Sequence, residues 1–146
     1  MKAIAKQSQI SISAQKAKLV CDLIRNKPVS QAASILLNLN KKAAFHVNKL
    51  LKSAISNATN NHAMEAGKLY VYEIFANQGS TIKRTMPRAK GSADIIRKRH
   101  TNLTIVLSDD ADERKKDLLA AKQKIKARVA GQRARKQMVF EQKGQK

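Results

Sequence analysis

Between two apolar, strand-like segments of this chain lies a stretch so dense in positive charge that it cannot build a core of its own. Residues Lys83 to Arg99 hold seven Lys or Arg against one acid, Asp94. Before it stands Leu69-Tyr70-Val71-Tyr72-Glu73-Ile74-Phe75, and after it Asn102-Leu103-Thr104-Ile105-Val106-Leu107, followed by the acidic stop Ser108-Asp109-Asp110. Both flanks are rich in β-branched and aromatic residues, the character of a half-buried strand. Between them Ile82, Arg84 and Met86 alternate on the way out, and Ile95, Arg97 and Arg99 on the way back. The centre, Met86 to Ala93, contains Pro87 and Gly91, residue types that a chain reversal uses. The pattern predicts one long β-hairpin, its extension spanning about 79–101.

About eight residues per arm, at a rise of roughly 3.3 Å, give an arm on the order of 25 Å beyond the last core-packed residues. An isolated two-stranded hairpin is marginal in water, and this one has few apolar residues. Its seven cations repel one another unless phosphates stand between them. Such an arm needs a polyanion to lie against.

The sequence before the hairpin has a different period. Ala3 to Ile12 alternates loosely, as an edge strand does. Ser13 then suits the N-cap of a helix with Ala17, Val20, Cys21 and Ile24 on one face, interrupted at Asn26-Lys27-Pro28. A short second helix carries Ala32, Ala33, Leu36 and Leu39, and Asn40 suits the N-cap of a third. There Ala43, Val47, Leu50, Leu51, Ala54, Ile55 and Ala58 form a broad apolar stripe, with Lys42, Lys49 and Lys52 outside it. The expected fold is α+β: three helices packed on a small antiparallel sheet, with a long protruding β-hairpin and a basic, helical C-terminal tail. In that tail, 111–146, Asp112 and Glu113 suit a helix start, and Leu118, Ala121, Ile125 and Val129 mark a narrow stripe that Gly131 weakens. Residues 1–110 form the expected domain and 111–146 an extension that helix formation on a partner surface would order.

Charge divides the chain in the same way. Of a net +20 in 146 residues, +8 falls in 1–82, +4 in 83–110 and +8 in 111–146. This imbalance calls for a polyanionic partner. The single cysteine, Cys21, excludes an internal disulfide and a zinc site of the usual spacing, and fits a reducing, cytosolic setting. On the apolar face of its helix it reads as a small buried hydrophobe. No apolar run has the length of a signal peptide or a membrane span, so neither a membrane nor the secretory path is expected.

Nothing in the chain reads as an active site. His46, His62 and His100 lie at unrelated spacings, and ten acidic residues give neither a paired-carboxylate site nor a magnesium cage. Arg88-Ala89-Lys90-Gly91-Ser92 lacks the second glycine of a nucleotide-phosphate loop. No enzymatic activity, metal or cofactor is expected. Tyr70 and Tyr72 fit a sheet face better than base stacking. Lys2, Lys41, Lys42, Lys49 and Lys52 read equally as solubilising charges or as anion contacts. A chromosomal DNA-binding architectural protein would share a basic β-arm, but such proteins usually dimerise through an apolar surface, and none is identifiable here.

The middle of the chain resembles a known family. Lys83, four residues, Arg88-Ala89-Lys90-Gly91-Ser92, nine residues, then Asn102-Leu103-Thr104-Ile105-Val106-Leu107 is similar to the signature of the large-subunit ribosomal protein twenty-two family. Ser13-Ala14-Gln15-Lys16-Ala17-Lys18-Leu19-Val20, Leu23-Ile24-Arg25, Val29-Ser30-Gln31-Ala32 and Asn40-Lys41-Lys42-Ala43-Ala44 stand in that family's order. The resemblance covers residues 1 to about 110. It implies a structural constituent of the large ribosomal subunit that supports its assembly, its hairpin threading ribosomal RNA to line the nascent-peptide exit tunnel. Partners would be that RNA, neighbouring ribosomal proteins and the nascent peptide in transit, with no membrane and no homo-oligomer. It further implies RNA contact by Lys16, Lys18, Lys83, Arg84, Arg88, Lys90, Arg97, Lys98 and Arg99. Arg88, Ala89, Lys90, Gly91, Ser92 and Ala93 would form the tunnel-facing tip. Many members carry arginines before the first helix, whereas Ser8, Ile10 and Ser11 stand here. The tail exceeds the compact bacterial pattern, so the resemblance assigns it no role.

Overall fold

Strand β1 (Lys2–Ile10) leads into helices α1 (Ala14–Ile24), α2 (Val29–Asn38) and α3 (Lys42–His62), and the chain closes with strands β2 (Tyr70–Pro87) and β3 (Ala93–Ser108). The computed structural model describes residues 1–110 together with 116, 119, 120, 123 and 127–129. The chain divides into two units, Met1–Ala111 and Asp112–Lys146, and all six elements belong to the first. In the second unit the described residues, Val129 among them, are helical. The expected start at Asp112 and Glu113, the stripe positions Leu118, Ala121 and Ile125, and Gly131 lie outside the described residues.

The sheet is antiparallel in the order β1-β3-β2, so the last strand is central and β1 is the edge strand that its loose alternation predicts. Ala3 and Ala5 point into the core while Lys2, Ile4 and Lys6 are exposed. Near the end of β1 the register slips between Gln7 and Ile10, and Gln9 takes a positive φ of 58°. Its freed N–H donates to Asn102 Oδ1 at 2.9 Å, and Ile10 turns inward. The three helices cover one face of the sheet, with α3 against β1 and β3 and α1 against β2.

The long stripe of α3 is the centre of the core. Ala43, Val47, Leu50, Leu51, Ala54 and Ala58 are buried as their spacing predicts, together with Ala44; Ile55 is partly buried. Opposite them lie Leu103, Ile105 and Leu107 from β3, while Ile74 joins from β2. Small residues allow the close approach: Ala3, Ala5, Ala17, Ala32 and Cys21 are all buried. Burial pushes the Cys21 thiol up to about 11, so it remains a protonated, inert core group near neutral pH. The turn between α1 and α2 is tied to β2 by backbone bonds from Asn26 N–H to Val71 O and from Val71 N–H to Lys27 O.

Two expected caps differ. Ser13 occupies the N-cap of α1, yet its hydroxyl makes no capping bond, and α3 is capped by Lys41 rather than Asn40. No acidic residue lies in the first turn of α1 or α3, so neither macrodipole is offset from within the helix. Replacing Leu51 by Ala is expected to cost about 2–5 kcal/mol of stability, whereas the exposed Lys52→Ala should stay within about 0.5 kcal/mol. Urea unfolding of the full chain followed by circular dichroism measures both.

Candidate nucleic-acid interface

The hairpin forms as one continuous β2–β3 pair, and its two arms leave the core at a bulge. Gln78 pairs with Thr101 and Thr81 with Arg99, so Gly79 and Ser80 stand opposite His100 alone. A Cβ at Gly79 would meet the His100 backbone and Asn102 Oδ1 at about 3.2 Å, a close approach that favours glycine. A ring nitrogen of His100, Nδ1, lies 3.1 Å from Ser80 O across the bulge.

The extra residue decides which cations share a face. Beyond the bulge Lys83 pairs with Arg97 and Arg84 with Ile96, while Ile82 faces Lys98 and Met86 faces Asp94. Lys83, Arg97 and Arg99 therefore lie on one face, and Arg84 and Lys98 on the other. The alternating sets Ile82, Arg84, Met86 and Ile95, Arg97, Arg99 belong to opposite faces. Because core-facing Thr101, Leu103 and Ile105 share the parity of Arg97 and Arg99, the latter two extend the helix-covered side of the sheet past its last helix.

From Ile82 to Arg99 every residue is exposed, on both faces. Ile82, Met86, Ile95 and Ile96 are exposed along with the cations. The one acid of the arm is occupied: Arg88 Nε binds Asp94 Oδ2 at 2.7 Å. Among the described residues no carboxylate lies within ion-pair distance of Lys83, Arg84, Lys90, Arg97, Lys98 or Arg99. Like charges directly opposite one another, as Lys83 and Arg97 are, destabilise a strand pair. Contact between two such charges costs on the order of 1 kcal/mol even in water.

At the tip, Arg88 N–H donates to Ser92 O at 2.8 Å, while the Ser92 hydroxyl donates to Ala89 O at 2.9 Å. The turn is closed by two consecutive left-handed residues, Lys90 at φ 57° and Gly91 at φ 72°. Gly91 suits this conformation, and Lys90 is presented outward from it.

At the other end of the arm the structure gathers residues that stand far apart in sequence. Arg97 and Arg99 line a cleft of about 770 Å³ with Lys16 at the start of α1 and Lys41 and Lys42 at the start of α3. Lys16, Arg97 and Arg99 thus converge as one site, whereas Lys18 is exposed on α1 outside it. Lys41 and Lys42 read from sequence equally as solubilising charges or anion contacts, because sequence gives no signal of which strand a helix N-terminus will meet. Along α3, Lys42, Phe45, Lys49 and Lys52 follow helical spacing on the exposed side, and Phe45 is 71% exposed. Tyr70 and Tyr72 are buried, with the Lys2 ammonium 4.1 Å from the Tyr72 ring centroid, so neither offers a free stacking face. Arg25 is held structurally, by Asp22 at 2.6 Å and Ile74 O at 3.0 Å.

Among the described residues no group of three or more His, Cys, Asp or Glu is placed to hold a metal, and no helix is long and apolar enough to cross a membrane. The arrangement is therefore a cationic surface, thin at one end and concave at the other.

Comparison with known proteins gives the same region. Residues 5–108 match the family described as Ribosomal protein L22p/L17e. The chain is 67% identical over 130 residues to the large ribosomal subunit protein uL22 of Malacoplasma penetrans, covering 89% of this chain and 96% of that protein. It is 60% identical over 143 residues to its namesake from Mycoplasmoides gallisepticum, covering 98% of this chain and 99% of the relative. The protein of the same name from Mycoplasma capricolum is 56% identical over 110 residues, which is 75% of this chain and 99% of that relative.

Binding of the purified full chain to single-stranded RNA, followed against salt, tests the interface. Arg97→Ala and Arg99→Ala are each expected to lower the slope of log affinity against log salt by about 0.7, the value for one lost phosphate contact. Arg25→Ala should leave the slope in place.

Proposed function

This chain belongs to the Ribosomal protein L22p/L17e family, and from that premise we propose that it is a structural component of the large ribosomal subunit that binds ribosomal RNA through its hairpin and the cleft at the hairpin's root. Residues 1–110 are the RNA-binding domain in this reading, and 111–146 a basic extension. Its setting is the cytoplasmic ribosome, and its role is architectural rather than catalytic.

The observation that carries the proposal is an arm exposed on both faces, with six cations that have no carboxylate partner among the described residues. A ligand on one side, such as a bare duplex, would leave half of this charge unopposed. Folded RNA can enclose a thin arm from several directions and supply phosphates to each face. The exposed Ile82, Met86, Ile95 and Ile96 then gain apolar contact with sugars and bases. Lys16, Lys83, Arg84, Arg97, Lys98 and Arg99 hold phosphates along the arms and root, and Lys18 adds a contact on α1. Arg88, Lys90 and the small residues Ala89, Gly91, Ser92 and Ala93 form a tip narrow enough to face the nascent-peptide tunnel. Family resemblance supports this tunnel placement, together with neighbouring ribosomal proteins and the passing peptide as partners.

The test has two readouts. The chain should sediment with large subunits in salt that strips loosely held proteins, and contact with six to ten phosphates should weaken binding to naked RNA roughly 10³- to 10⁵-fold between 50 and 200 mM salt. Sedimentation with DNA instead of subunits, or an affinity indifferent to salt, refutes the role. Deleting Arg88 to Ala93 should widen the tunnel and change sensitivity to tunnel-binding inhibitors. Unchanged geometry and sensitivity would refute the tunnel placement.

A further inference from the structure

We propose that the cleft at the root of the hairpin takes a single unstacked nucleotide of RNA, with its phosphates on the cations and its base on the exposed leucines of α1. The inference rests on the RNA-binding reading above and names the form of RNA that this part of the surface selects.

Three separate segments supply the cations. Lys16 comes from α1, Lys41 and Lys42 from the start of α3, and Arg97 and Arg99 from β3, while no Asp or Glu among the described residues lines the cleft. Five cations brought together with no carboxylate among the described lining residues suit an anion. The N-termini of α1 and α3 border the same space and lack acidic residues in their first turns, which adds positive potential to that of the side chains.

Phosphate binding accounts for the cations but not for the leucines. Leu19 and Leu23 of α1 line the cleft and are 70% and 47% exposed, joined by Leu39 at the end of α2. The outer rail of an RNA helix presents phosphates and riboses, and stacking keeps the flat faces of its bases from leucines that stand among cations. An extruded nucleotide brings both kinds of surface at once: a charged backbone and a flat, largely apolar ring. The volume of about 770 Å³ lies within the range of pockets that hold a ligand of this size. An ordinary apolar protein segment would fit the leucines but leave five cations unopposed, so charge selects RNA.

The experiment uses large subunits assembled with the full-length chain. A photo-crosslinker placed at Lys42 locates the contacted RNA, and base-reactive probing reads each nucleotide there. With the wild-type chain, the crosslink should fall beside an unpaired nucleotide whose base is shielded. The Leu19→Ser/Leu23→Ser variant, altered only at exposed positions, should still enter subunits but render that base about tenfold more reactive, the factor expected from losing some 50 Å² of apolar contact. Leu19→Met should keep the base shielded. A crosslink to continuously paired RNA or to a protein overturns the proposal, as does reactivity unchanged in the serine variant. Absence of the wild-type chain from large subunits would instead refute the ribosomal role itself.

Discussion

Repulsion between cations on a two-stranded arm sets what the exposed half of this structure can do. Lys83 faces Arg97, and Arg99 follows on the same side, with Asp94 already engaged by Arg88. A protein core could offset that repulsion only by covering the arm, yet everything from Ile82 to Arg99 is exposed. An external, anionic partner would offset that repulsion. Folding and binding of the arm are therefore linked: anything that binds only the ordered arm shifts its equilibrium toward order.

The first unit is built to hold the base of this arm still. β3 is central in the sheet, and its buried Leu103, Ile105 and Leu107 pack beneath the helices that cover it. The same strand continues without interruption into the basic arm, so packing in the core fixes the direction in which the cations emerge. The Thr101 hydroxyl reinforces the transition by donating to Ile12 O at 2.5 Å, joining β3 to the segment that leads into α1. Consequently the helix starts that carry Lys16, Lys41 and Lys42 stand beside Arg97 and Arg99. Rigid packing on one side of Thr101 becomes a positioned cluster of cations on the other.

Much of this was legible in the sequence, because periodicity reports burial directly. The stripe of α3, the strand character of 69–75 and 102–107, and the turn at Pro87 and Gly91 all follow from local composition, and each has its place in the fold. Register was not legible. The bulge at Gly79 and Ser80 changes which side chains share a face, and a one-residue offset has no signature in the alternation of a strand whose two sides are both polar. The cleft was hidden for a different reason. Lys16, Lys41, Lys42 and Arg99 become neighbours through tertiary packing alone, and a lysine bound for an anion site has the same helical spacing as a solubilising one. Asn40 lost the cap of α3 to Lys41, whose side chain contributes charge to the cleft instead of a capping acceptor.

Hydrogen exchange measured residue by residue, on the free chain and on the chain within large subunits, tests the dependence of the arm on RNA most directly. In the free chain, amides of Leu103, Ile105 and Leu107 should be strongly protected while those of 81–86 and 93–99 exchange close to unprotected rates. In the subunit, both sets should be protected. Arm amides as protected in the free chain as those of Leu103 and Ile105 would contradict the account, since the arm would then be stable without any anion to hold it.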